Sequence, residues 1–423
     1  MVRIIFRLLL IPIFGASFGE SADAATFYVA TDGDDQSVGT IDAPFASIER
    51  AQKDTRPGDT VLVRGGVYRM TDDDIMQRTR IFARVIVLDR SGQPDQPITY
   101  RAYPNERPVF DFASVRPDGY RVTAFYVAAS WLHLDGIDVT GVQVTIQGHT
   151  QSICFENAGD HNRYERLSMH DGQAIGVYSI RGRDNLFLNC DAWNNWDDVS
   201  ENGQGGNVDG FGCHPSRGAT GNRFVGCRAW FNSDDGYDCI HAHEAVTFEN
   251  CWAFANGYSA TGQRLADGNG FKIGGFAGYP MSRLPPSIPR HQVIHCIALG
   301  NKNSGFYANH HLGGNDWIEN IAIGNGANFN MLCRLPDNET DVDGYDQLLR
   351  GNVGAASRGL IVRMNRSRCE LIDNRFDATL DEFGLSNLST ATMSQARSPD
   401  GTLPLVNGLL LPFSKSLPSR SRQ

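Results

Sequence analysis

The chain has 423 residues, 41% of them hydrophobic and 20% charged, with a formal net charge of −10. That balance argues against a nucleic-acid partner, which calls for a basic patch, while an acidic polymer stays accessible if a metal bridges the two. No apolar run after the N-terminal leader is long enough to cross a bilayer, and 45 glycines with 23 phenylalanines favour many short strands joined by tight turns.

The leader, residues 1–24, has a basic start, an apolar run from Leu8 to Phe14, and Ala22 and Ala24 spaced for cleavage. These are the marks of a secretory signal peptide, so a secreted or periplasmic mature protein is expected. Residues 25–423 are expected to form one elongated unit, because stacked repeats bury their apolar faces on one another. The repeats are clearest over 150–376.

Self-alignment gives NLFLNCDAWNN (185–195), NRFVGCRAWFN (222–232), VTFENCWAFAN (246–256), QVIHCIALGN (292–301) and DWIENIAIGN (316–325). Alternating apolar residues predict strands. The terminal asparagines Asn195, Asn232, Asn256, Asn301 and Asn325 are spaced by 37, 24, 45 and 24 residues. A minimum step in the low twenties with larger insertions fits one coil of an all-β parallel solenoid. The asparagines are expected to form amide ladders. Of nine cysteines, Cys190, Cys227, Cys251 and Cys296 fall at one repeat position and are expected as stacked core thiols rather than disulfides.

A second column lies in NVDGFGC (207–213), SDDGYDC (233–239), GNGFKIG (268–274) and NSGFYAN (303–309). Stacking these in register aligns Gly210, Gly236, Gly270 and Gly305, and likewise Phe211, Tyr237, Phe271 and Phe306, at about 4.8 Å per coil. Beyond residue 377 the repeat fades. The 377–423 segment is expected to form loops across the last coils, covering a sheet edge, and to end in a disordered SLPSRSRQ.

Before the glycine stand Asp209, Asp235, Asn269 and Ser304, and two residues after it stand Gly212, Asp238, Lys272 and Tyr307. With Asp234 beside them, four carboxylates gather on two adjacent coils. A solvated acidic turn would explain DDGYD alone, but Asp209 arrives from a different coil. So many like charges at strand spacing call for a cation, and an all-oxygen donor set favours calcium. Asp197 and Asp198 align with Asp234 and Asp235 one coil earlier.

Lys272 is one of only four lysines, with Lys53, Lys302 and Lys415, against 34 arginines. As a plain ion-pair partner of Asp238 it would be a poor base; a nearby dication reverses that. A base, a hard cation and no facing acid pair point to β-elimination on a uronic acid polymer.

The order NVDGF, GNRFVGCRAWFNSDDGYD, GNGFKIGG resembles the family 9 polysaccharide lyases, whose members include pectate lyases, as does the opening ATFYVATDGDDQSVGTIDAPFASIERAQKDTRPGDTVLVRGGVYR (25–69). The resemblance implies a right-handed parallel β-helix of about ten coils with a surface groove for the polymer. It also implies calcium at Asp209, Asp234, Asp235 and Asp238, with Lys272 as general base. Asn309, His310 and His311, in NSGFYANHHLGG, and Lys302 are candidates to contact the substrate, though a plain turn explains that stretch equally well. A monomer acting on pectate or a related polymer is expected, with no membrane or nucleic-acid partner.

Two rivals stand beside this reading. A β-helix hydrolase would need separated acid and base carboxylates and leaves Lys272 without a role. A non-catalytic carbohydrate-binding solenoid has no use for a lysine over an acidic site.

Overall fold

The computed structural model describes residues 24–381 and 384–406. All but the last residue of the expected 1–24 leader, and the terminal SLPSRSRQ, lie outside the described residues.

The alternation in the repeats places one side of each short strand inward. Phe187, Phe224 and Phe248 from successive coils stack face to face at 4.5 and 5.2 Å between ring centroids. Phe211, Tyr237, Phe271 and Phe306 form a second interior stack, at 5.0, 4.6 and 5.1 Å. Offset aromatic stacks of this kind fill a narrow core at native density.

Three parallel sheets surround that core. The first has 12 strands, from Thr26–Val29 to Glu370–Ile372, and the second has 11, from Gly66–Thr71 to Arg375–Ala378. The third has ten parallel strands, from Phe82–Leu88 to Gly359–Val362, with the antiparallel Gln77–Arg78 at its edge. From Thr60–Val63 onward, apart from the antiparallel pairs Gln77–Arg78 with Phe82–Leu88 and Leu332–Arg334 with Asp341–Asp343, strands consecutive in the chain fall in different sheets, and parallel neighbours lie one turn of chain apart. The architecture is a parallel β-helix of ten complete coils among the described residues.

The asparagine column is a continuous amide ladder. Asn195 Nδ2 donates to Asn232 Oδ1 (3.0 Å), Asn232 to Asn256 (3.1 Å), Asn256 to Asn301 (3.0 Å) and Asn301 to Asn325 (2.9 Å). The second Nδ2 hydrogen returns to a carbonyl one coil back, as from Asn256 to Ala229 (3.1 Å), so these buried amides are satisfied. The ladder also explains the glycine column. A Cβ on Gly236 would lie 2.7 Å from Gly270 O and 2.9 Å from Asn256 Nδ2.

All nine cysteines are free thiols; Cys190, Cys227, Cys251 and Cys296 are buried. Their column continues as Asn320, Asn352 and Asn374, a second ladder with Nδ2-to-Oδ1 distances of 3.0 and 2.9 Å.

The N-terminal end is closed by the helix Ile48–Asp54. Ser47 caps it by accepting from Arg50 N, and Ile48, Ala51 and Gln52 are buried. The C-terminal segment departs from expectation. Its described residues, 384–406, run back along the outer face of the second sheet, where Arg228 Nη1 donates to Met393 O (2.8 Å) and Arg397 Nη2 reaches Asp191 (2.5 Å). The reason is an external apolar stripe, including Trp252, Phe254, Ile297 and Ile321, which Leu385, Leu388 and Met393 cover.

Candidate active site

On the outward side of the third sheet, Tyr178, Gly212, Asp238, Lys272 and Tyr307 are consecutive register partners. Their strand is only two residues long in two coils, Tyr237–Asp238 and Phe271–Lys272. The preceding turn supplies a second polar ladder. Asp235 N donates to Asp209 Oδ1 (3.1 Å), Asn269 N to Asp235 Oδ1 (2.7 Å) and Ser304 N to Asn269 Oδ1 (3.1 Å). Asp234 Oδ1 accepts from Asp267 N (3.1 Å), and Asp238 Oδ1 from Ile240 N (2.7 Å).

One oxygen of each carboxylate is therefore anchored by backbone. Asp209, Asp234 and Asp235 each offer an oxygen, all within 4.8 Å of one another. Lys272 Nζ stands 3.0 Å from Oδ2 of Asp235 and 3.0 Å from Oδ2 of Asp238. Asp235 Oδ2 is buried and, despite that proximity, has no aligned hydrogen-bond donor. All four carboxylates are buried.

Burial first, then the neighbouring carboxylates, push Asp209 and Asp234 well above the usual carboxylate range. Burial also raises Asp235, against the pull of Lys272. For Asp238 burial acts upward too, but the charge of Lys272, with the Ile240 N–H, outweighs it and holds the group below its ordinary value. Burial alone would lower Lys272, yet the four aspartates carry it well above its ordinary value.

Four buried carboxylates facing one ammonium, with an unsatisfied oxygen among them, form a donor set suited to a hard divalent cation. The contrast is His133, Asp135 and Glu165, the other such group among the described residues. There Arg166 forks onto Asp135 (2.8 and 2.6 Å) and Arg163 closes on Glu165 (2.7 Å), so the charge is already balanced.

A cavity of about 1170 Å³ opens over Asp209, Asp234, Asp238 and Lys272. It extends toward the N-terminal coils, past His214 and Tyr178 to Arg181 and Arg217, and is walled by Tyr279 and Arg283. The wall is the 276–284 excursion, pinned where His241 stacks on Tyr279 at 3.9 Å.

Sequence reasoning pointed for substrate contacts to the coil after Lys272, and none of those residues lines this cavity. Asn309 is buried and donates to Gly274 O (2.6 Å), and His310 pairs with Asp341 (2.7 Å). His311 is buried between Gly275 N (3.1 Å) and Pro289 O (2.8 Å). Lys302 donates to Leu265 O (2.7 Å) and to Ala266 O, tethering the 258–268 insertion. Asp197 caps its own turn at Val199 N and Ser200 N, and Asp198 accepts from Gln173, so neither joins the acidic group. The missed residue with a readable signal is Tyr178. Gly176, Val177 and Tyr178 continue the glycine column one coil earlier, with Val177 paired to Phe211.

Comparison with known proteins agrees with this architecture. Residues 27–347 match the family described as Pel9A-like, right handed beta helix region. Pectate lyase L of Dickeya dadantii (strain 3937) is 31% identical over 385 residues, covering 89% of this chain and 81% of the relative. Pectate lyase PEL9 of Emericella nidulans is 29% identical, with coverages of 74% and 77%. Among solved structures, a rhamnogalacturonan lyase superposes with a TM-score of 0.85 at 42% identity, covering 91% of this chain and 96% of that one. Pectate lyase Pel9A superposes with a TM-score of 0.72 at 28% identity, covering 94% and 91%. The chain thus belongs to the Pel9A-like right-handed β-helix family and is a pectate-lyase-like polysaccharide lyase.

Proposed function

We propose that this protein is exported and cleaves a galacturonate-containing pectic polymer by calcium-assisted β-elimination, with Lys272 as the base. The observation that carries the reading is the seating of Lys272 Nζ 3.0 Å from both Asp235 and Asp238, at the floor of the cavity. Calcium would be held by Asp209, Asp234, Asp235 and Asp238. When bound there it supplies positive charge that offsets these carboxylates, favours the neutral amine of Lys272 and stabilises charge developing next to the substrate carboxylate.

Lys272 Nζ then takes the proton from C5 of the uronate. The C5–H electron pair becomes the C4–C5 double bond as the C4–O4 bond breaks, and the departing O4 takes a proton from water, the Lys272 ammonium later giving its own proton back to the solvent. Asp238, in the strand beside Lys272, receives the resulting ammonium as an ion pair. The buried turn of Asp235 and Asn269 keeps these groups in place without reorganisation.

Pectate is the substrate suggested by the named pectate lyases. A second reading, a backbone of alternating galacturonate and rhamnose, is favoured by the 42% identity with a rhamnogalacturonan lyase over nearly all of that chain. The test is an ultraviolet assay for unsaturated product on polygalacturonate and on rhamnogalacturonan, with calcium and with chelator. Product from either polymer that vanishes with chelator supports the reading. Cleavage that persists in chelator and yields saturated ends overturns it.

A further inference from the structure

Charge along the cavity is segregated. The acidic residues and Lys272 occupy its floor, whereas Arg181 and Arg217 line its N-terminal end. Both arginines are exposed, and among the described residues neither guanidinium makes an ion pair or side-chain hydrogen bond. Elsewhere in this acidic chain arginines fork onto carboxylates, as Arg64 does on Glu106 and Arg228 on Asp191. Glu156, which shares the outward column with Tyr178, is buried and engaged by Arg84 (3.6 Å) and Thr123 (3.3 Å), with Arg181 adding only to its field.

Between the two regions lies a rigid wall. The Tyr178 and His214 rings meet at 5.1 Å and 47°. His214 Nδ1 lies 2.7 Å from Ile240 O, and a carbonyl only accepts, so Nδ1 carries the proton and Nε2 presents a lone pair. Gly212 leaves the notch between them open: a Cβ there would sit 2.8 Å from His214 Nε2 and 3.1 Å from Tyr178 Cδ2. An aromatic face beside a fixed acceptor suits a sugar ring and its hydroxyl, and unpaired guanidiniums suit a carboxylate.

We infer that Tyr178, His214, Arg181 and Arg217 form a metal-independent subsite for a second acidic sugar of the same polymer, which sets the chain's position over Lys272. The inference rests on the proposed action on a uronate polymer. Tyr178 is three register steps from Lys272, roughly 14 Å at strand spacing. The subsite therefore engages substrates long enough to span that distance and leaves shorter ones unheld.

The test compares the parent protein with Arg181→Gln/Arg217→Gln and Tyr178→Ala variants on oligogalacturonates of graded length, with rhamnogalacturonan oligomers in a parallel arm. Expected are a KM raised about tenfold or more on long oligomers, a penalty that shrinks as the oligomer shortens, and a changed product-size distribution. Calorimetry in chelator provides a readout independent of catalysis: the parent should bind long oligomers in a salt-sensitive manner and the double arginine variant should not. A parent that makes no unsaturated product yet shows this binding would sink the proposed function and leave the subsite standing. Equal oligomer binding by parent and variant, or a KM penalty of the same size at every length, overturns the subsite.

Discussion

Asp238 and Lys272 face one another across adjacent parallel strands, register partners with Nζ 3.0 Å from Oδ2. The lysine is thereby held charged by the carboxylates around it, so the proposed role as base calls for a cation at those carboxylates.

Lys272→Ala should lower formation of unsaturated product by about 10²- to 10⁴-fold. The circular dichroism spectrum should be unchanged, and calcium should bind at least as tightly, because a competing ammonium has been removed. Product formation at the parent rate would rule out Lys272 as base.

Asp209→Asn keeps an oxygen to accept from Asp235 N but removes one of four buried like charges. The calcium-free variant is expected to melt at a higher temperature than the calcium-free parent, and its calcium-induced rise in Tm should be smaller. Thermal melts with and without chelator check both signs; a calcium shift equal to the parent's would exclude Asp209 as a ligand.

Asn256→Leu severs the middle of the amide ladder, leaving Asn232 Nδ2, Ala229 O and Asn301 Oδ1 short of partners in the core. The expected loss is about 3 kcal/mol or more, since each buried orphan costs about 1–3 kcal/mol. Denaturant unfolding measures it, and a loss within 0.5 kcal/mol, the ~0.5 kcal/mol scale of a neutral surface change, would contradict the ladder's role.

Acid should destabilise the coil behind the cavity wall. Burial lowers His311 from its ordinary value to about 4 and drives His291 well below its own. The unfolded chain therefore binds these protons first as pH falls. The contribution of His311 is complete above about pH 6.5 and falls as pH drops toward 4, the total loss reaching about 3 kcal/mol once both states are protonated. Raised carboxylates such as Asp209 and Asp234 titrate in the opposite sense in both proteins, so the His311 contribution is read as a difference: between pH 7 and pH 4 the unfolding free energy of the parent should drop relative to that of a His311→Gln variant by about that amount. Identical slopes would exclude His311 as the group responsible.

The stacked columns were legible because a parallel β-helix repeats side-chain identity at strand spacing. Gly210, Gly236 and Gly270, with the asparagines beside them, mark each coil, so Asp238 and Lys272 could be set beside one another without coordinates. The substrate-contact expectation for Asn309, His310 and Lys302 found no support in the cavity, because sequence proximity to Lys272 does not say which way a groove opens. Those polar atoms are consumed by Gly274 O, Asp341 and the 258–268 insertion. The C-terminal segment was misplaced for a similar reason: its partners Asp191 and Arg228 lie some two hundred residues upstream or close to it.

By itself the sequence determined the all-β solenoid, the interior aromatic and amide stacks, and the gathering of Asp209, Asp234, Asp235 and Asp238 next to Lys272. Each of these follows from periodic contacts between neighbouring coils, which fixed spacing encodes. Only the tertiary structure decided that the cavity runs from Lys272 toward Tyr178, Arg181 and Arg217, that the 276–284 excursion walls it, and that the tail returns over the second sheet. Those features depend on where irregular loops come to rest on surfaces built by distant coils, and no local periodicity records that.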